Sequence, residues 1–206
     1  MPESAEEVYA RVVATVGAEG RLPMPPYEKW GDWFPWEVAD GRLQPKVVKP
    51  PVAEEAARSG IDGVDCGTCA GGGDNVRIWE NWNFHLLRPA RPAGLPMVLW
   101  LNTNEHLDFT DLSDDLAAEM GRISVWLTRI MSNLENIGRV HACRFGDGSE
   151  HMHTWFIART ARLPQVIGSM AVEWNEMLPP GPEDVWLEDT ATVARKLALH
   201  DGRALV

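Results

Sequence analysis

Three cysteines, two tyrosines and five phenylalanines are all that the 206 residues hold of those types, and no apolar run reaches the length of a membrane span. No membrane partner is therefore expected. An odd cysteine count fits no secreted disulfide framework. The opening residues Met1-Pro2-Glu3-Ser4-Ala5-Glu6-Glu7 are acidic where a signal peptide needs an apolar stretch, so a cytoplasmic location is expected. Cations are scarce as well: 19 lysines and arginines face 30 acidic residues, for a formal charge of −11. That balance excludes a protein that grips nucleic acid through a broad basic face. It still permits a small anionic ligand, because the nearest charges dominate under ordinary screening.

What the chain does have is an apolar fraction of 45% and ten tryptophans, enough for one sizeable core with appendages. Val8, Val12 and Val16 share a face of a helix over 6–16, stopped by Gly17 or Gly20. Residues 21–60 are broken by seven prolines, with Trp30, Trp33, Phe34 and Trp36 between them. Proline removes ladder donors and interrupts helices, so this reads as an irregular arm clamped to the body by its tryptophans. The texture changes at Val64. Three regions follow: a helix and Pro/Trp-rich arm over 1–63, a core over 64–160, and a helical extension over 161–206.

Within the core the pattern predicts strands over 76–87 and 95–102, the second almost continuously apolar and so central. Leu112, Leu116, Met120, Ile123, Leu127, Ile130, Leu134 and Ile137 form one stripe, which predicts a helix over 113–137. Ser113 caps it, Asp114 and Asp115 complement its dipole, and Gly138 stops it. Strands over 139–145 and 151–158, joined by a tight turn at Gly146-Asp147-Gly148, come next. Helices over 163–177 and 183–199 flank Pro179-Pro180-Gly181-Pro182. The fold class is α+β: an antiparallel sheet, a long helix packed on it, and helical ends.

Chemistry concentrates in Gly148-Ser149-Glu150-His151-Met152-His153-Thr154-Trp155-Phe156. On a strand His151, His153 and Trp155 share one face, with the two histidines about 6.5–7 Å apart. That separation suits two linked tasks rather than direct contact. Cys66 and Cys69 have the spacing that lets two thiolates reach one zinc ion at about 2.3 Å. A redox pair needs a following helix to lower its thiol pKa, and Ala70-Gly71-Gly72-Gly73-Asp74 starts none readily. Cys143 reads as a small core hydrophobe, and His85 and His141 as buried, satisfied histidines.

The run His151-Met-His153-Thr-Trp155-Phe-Ile-Ala-Arg159, entered from a glycine-rich turn after a long helix, resembles the signature strand of the histidine triad (HIT) superfamily. The likeness covers about residues 64–160 and includes the His106-to-Ser113 approach to the helix. It implies a HIT-like antiparallel sheet, and a middle histidine, His153, that attacks a nucleotide phosphorus as a nucleophile. Trp155 stands where the third histidine of the hydrolases would be and supplies no acid–base group. Ser149, Arg144 and Arg159 are the candidate phosphate contacts, and Asn81, Trp82, Asn83 and Trp100 fall where the family's strands line the nucleoside pocket. The galactose-1-phosphate uridylyltransferase branch completes a zinc site with histidines at positions matching His106 and His151. The resemblance thus implies Zn²⁺ on Cys66, Cys69, His106 and His151, and a homodimer. It implies a nucleotidyl or phosphoryl hydrolase or transferase on a small, phosphate-bearing substrate. A non-catalytic binding protein, or an enzyme that reuses the pocket or its zinc for other chemistry, are the alternatives.

Overall fold

The computed structural model describes residues 1–24 and 34–206. Trp30 and Trp33, two of the tryptophans expected to clamp the arm, lie outside the described residues. Ser4 opens helix α1 (Ala5–Val16): its side chain accepts from the Glu7 N–H while Glu7 reaches back, closing a capping box. The arm is not wholly irregular, because Trp36–Ala39 (β1) and Arg42–Pro45 (β2) pair as an antiparallel hairpin. Asp40 and Gly41 both take positive φ there, 53° and 71°. An Asp-Gly pair adopts that two-residue turn at little steric cost.

A six-stranded antiparallel sheet carries the rest, built from Val76–Glu80 (β3), Phe84–Arg88 (β4), Met97–Thr103 (β5), Ile137–Cys143 (β6), His153–Thr160 (β7) and Arg203–Ala204 (β8). Its order is β6-β7-β5-β4-β3-β8. The strand expected over 76–87 is two strands. Asn81 Oδ1 accepts from the N–H groups of Asn83 and Phe84, an Asx turn that reverses the chain before a single strand can form.

Helix α2 (Asp114–Ser132) is capped by the Ser113 hydroxyl and buries Ile123, Leu127, Ile130 and Met131 on the sheet. Each such side chain contributes roughly 2 kcal/mol through burial. The helix ends at Asn133 rather than at Gly138. Leu134 and Ile137 keep the helical spacing and still pack on the same core, but Asn136, at φ 64°, turns the chain into β6. Helix α4 (Glu183–Ala198) covers the same face through Val193, Ala194 and Leu197.

The opposite face is half covered. Leu95, Val98 and Ile157 pack there with Val166, Ala171 and Leu178 around helix α3 (Ala171–Met177). Residues 163–167, expected to be helical, are irregular, since Pro164 interrupts the start. The remainder of this face, from Leu87 across Trp100 and Asn102 to His153, lines an open cleft. The α+β architecture, with the long helix across an antiparallel sheet, is the one expected from the sequence. Among the described residues, no helix is long and apolar enough to cross a membrane.

Candidate metal centre and cleft

β7 starts at His153, so His151 and Met152 precede the strand. The connection 144–152 is not a tight hairpin. Ser59 pairs with it: the Ser59 N–H donates to Gly148 O at 3.0 Å and the Glu150 N–H to Ser59 O at 3.0 Å. Farther on, the Met152 N–H donates to Leu107 O at 2.7 Å. These bonds bring three distant segments together.

Where they meet, Cys66, Cys69, His106 and His151 place their ligand atoms within 4.8 Å of one another. His151 Nδ1 lies 3.5 Å from both Cys66 Sγ and Cys69 Sγ, and His106 Nδ1 lies 3.5 Å from Cys69 Sγ. A tetrahedral ion bonded to sulfur at about 2.3 Å and nitrogen at about 2.1 Å sets those neighbours about 3.6 Å apart. The donor set therefore fits zinc. On the far side of the His151 ring, Nε2–H donates to the Thr103 carbonyl at 3.0 Å, with the Thr103 hydroxyl 3.2 Å away. That bond assigns the proton to Nε2 and leaves the Nδ1 lone pair aimed at the sulfurs. Burial is the main reason that the His151 pKa falls below its usual value. Burial, then Cys66, pushes the Cys69 thiol up, so a cation must displace its proton. The knuckle needs Gly60 at φ +79°, where a Cβ would meet the Cys66 Cβ at 3.2 Å.

His153 lies across the strand from Asn102. Its Nδ1–H donates to the His151 carbonyl at 2.8 Å. Nε2 is hydrogen-bonded to none of the described residues. The cleft beside it has a volume of about 400 Å³ and is walled by Ser59, Thr68, Asn75, Trp100, Asn102 and Ser149. Among the described residues, no lysine or arginine lines it.

Of the other residues singled out from the sequence, Ser149 and Trp100 join His153 in this cleft. Trp155 packs edge-on against Trp100, its register partner, with centroids 5.1 Å apart, and so backs the cleft wall rather than lining it. Arg144 is held by Asp108, 2.8 Å away, over the Phe109 ring. Arg159 is six residues along β7 from His153, about 20 Å at the strand rise, too far to share one phosphate. Trp82 and Asn83 border a second recess with Thr103 and Leu116. Their Asx turn swings them to the hairpin tip, where Trp82 is 92% exposed. The sequence reading missed Ser59, Asn75 and Asn102. A polar residue at cleft distance carries no periodic signature. His85, 2% exposed, donates from Nδ1 to Asn104 Oδ1 at 2.9 Å. Burial holds its pKa at about 4.

Neither a protein-family model nor a curated protein matches the sequence. Of five solved structures to which the chain is similar, four are histidine triad proteins and one is a Hit-like protein. One is a zinc-bound histidine triad family protein from Mycobacterium smegmatis, 19% identical, with a TM-score of 0.47 over 66% of this chain and 94% of that one. Another, from Marinobacter aquaeolei VT8, is 16% identical with a TM-score of 0.49, over 62% of this chain and 92% of its own. A third is a Hit-like protein involved in cell-cycle regulation from Bartonella henselae, 11% identical, with a TM-score of 0.46 over 66% and 94%.

Proposed function

We propose that the chain is a zinc-stabilised nucleotidyl or phosphoryl hydrolase or transferase that uses His153 as its nucleophile. One observation carries the reading. The His153 Nδ1–H is fixed on the His151 carbonyl at 2.8 Å, at the edge of a cleft. With the proton held on Nδ1, the lone pair is on Nε2, the tautomer that attack requires. Nε2 forms a bond to phosphorus while the bond from phosphorus to the leaving oxygen breaks, and the electron pair departs with that oxygen. Water or another hydroxyl then attacks phosphorus. The N–P bond breaks, its electron pair returns to Nε2, and the proton of the attacking oxygen is released.

Cys66, Cys69, His106 and His151 would hold zinc, which ties the knuckle to the approach of β7. Four protein donors would fill a tetrahedral shell, so such an ion would support the fold of the site rather than bind substrate. Trp100 offers an aromatic wall for a base. Among the described residues the cleft wall carries no lysine or arginine, which favours a substrate with little charge, such as a nucleoside monophosphate ester, over a long polyphosphate. A reducing cytoplasm suits thiols kept free for metal. Homodimerisation rests on the sequence resemblance, and sedimentation tests it.

The decisive experiment is intact-mass analysis of the protein incubated with a panel of nucleotide esters and nucleotide sugars. We expect a nucleotidyl or phosphoryl adduct that is absent from His153→Ala. Full turnover by His153→Ala would defeat the assignment. A second reading is ligand binding without turnover, favoured because Trp155 offers no acid to the leaving group. Saturable nucleotide binding with neither adduct nor product would establish it.

A further inference from the structure

The carboxylate of Glu150 lies where the metal centre, the cleft and the segment before the knuckle meet. Its Oε2 accepts from the Asp62 N–H at 2.7 Å and is 3.7 Å from His106 Nε2. Its Oε1 lies 3.5 Å from Arg58 Nη2, and Arg58 Nη1 also bonds Asp108 at 2.8 Å. Asp108 holds Arg144 on its other oxygen. Despite the cost of its own burial, Asp108 is kept below the usual carboxylate range by the Phe109 N–H and by Arg58 and Arg144. The two arginines and two carboxylates cancel in charge, as do two thiolates and a divalent ion.

One atom in this arrangement is unprovided for. His106 Nε2 is buried and has no hydrogen-bond partner. When Nδ1 of a neutral imidazole binds a metal, the hydrogen is on Nε2, and a buried N–H without an acceptor is costly. Glu150 Oε2 is the carboxylate oxygen that faces it, less than 1 Å beyond hydrogen-bond range. We propose that Glu150 is the positioning residue of the metal centre. Its carboxylate takes the His106 Nε2–H, raises the donor strength of Nδ1, and ties segment 58–62 to the loaded site. Ser59, on that segment, is a wall of the cleft, so the same carboxylate links metal loading to the shape of the pocket around His153. This rests on the zinc reading above.

The test is zinc affinity, measured on the full chain by competition with a chromophoric chelator, for wild type, Glu150→Gln and Glu150→Asp. Loss of an outer-sphere partner of this kind weakens a metal 10–100-fold, and that loss is expected for Glu150→Gln. Glu150→Asp, which keeps the charge at shorter reach, should recover part of it. Melting curves with and without zinc separate this role from a plain tether. A tether lowers both melting temperatures equally, whereas a positioning residue lowers the loaded form more. Affinity within two-fold of wild type for Glu150→Gln would overturn the proposal and leave the zinc reading standing. A wild-type chain that takes up no zinc at all would overturn that reading instead, and this one with it.

Discussion

His151 and His153 are two residues apart and face different worlds. His151 is 1% exposed with both ring nitrogens engaged, one on Thr103 and one toward the thiols. His153 is half-buried with one nitrogen fixed and the other free at a cleft. The difference arises because β7 begins between them. Before the strand, the backbone is pulled toward Leu107 and Ser59; within it, Asn102 sets the register. A single carbonyl, that of His151, joins the two tasks. The residue whose ring faces the thiols thus also supplies the acceptor that fixes the His153 tautomer.

Removing each histidine should therefore break different things. His151→Ala carries the largest expected effect. It strands the buried Thr103 carbonyl and deletes a ligand, so zinc content should vanish, and about 3 kcal/mol or more of stability should go with it. Atomic absorption and urea unfolding of the same sample read both losses, and a variant that kept stoichiometric zinc would dissolve the distinction. His153→Ala should leave zinc and the unfolding midpoint close to wild type while turnover falls about a thousand-fold or more. A parallel loss of zinc would mean that the two histidines form one unit.

Acid sharpens the comparison on the stability side. Burial holds His85 at about 4 in the folded chain, against about 6.5 when unfolded. The unfolded state then binds the extra proton between those values, so stability rises with pH across that interval. The contribution is fully present above about pH 6.5 and falls by up to about 3 kcal/mol as the pH drops toward 4. Urea midpoints measured at pH 7.5 and pH 5 should differ accordingly, and less so in His85→Asn, which keeps a donor toward Asn104. Equal pH dependence in both proteins would move the cause elsewhere, to His151 first, whose pKa burial also lowers.

Short-range features were legible in the sequence and contacts between distant segments were not. Cys66 and Cys69 are placed relative to each other by three peptide units, so their spacing states that both can reach one ion. His151 and His153, expected on one strand face, part because β7 begins only at His153. The stripe of α2 was equally readable up to Leu134, where local turn chemistry at Asn136 outweighed a continuing apolar period. The Asx turn at Asn81 had the same effect on the strand expected over 76–87. Glu150 sits inside the motif, yet its partners Arg58 and Asp62 lie about ninety positions upstream, in what read as an irregular arm. Asp108 captures Arg144 in the same way. No period records such pairs. A candidate phosphate contact chosen by sequence proximity therefore ended in a salt bridge.

The smallest expected effect concerns the two recesses of the sheet. Trp82 caps a hairpin tip beside a recess of about 280 Å³ that shares no lining residue with the His153 cleft. Its ring is almost wholly exposed, so truncation should change stability by no more than about 0.5 kcal/mol. Trp82→Ala should leave kcat/KM on any substrate of the His153 cleft within two-fold, whereas Trp100→Ala, which removes a wall of that cleft, should raise KM by ten-fold or more. Steady-state kinetics on the pair reads the contrast directly. If Trp82→Ala raised KM as much as Trp100→Ala, substrate would have to reach the hairpin tip, and the boundary drawn between the two recesses would fall.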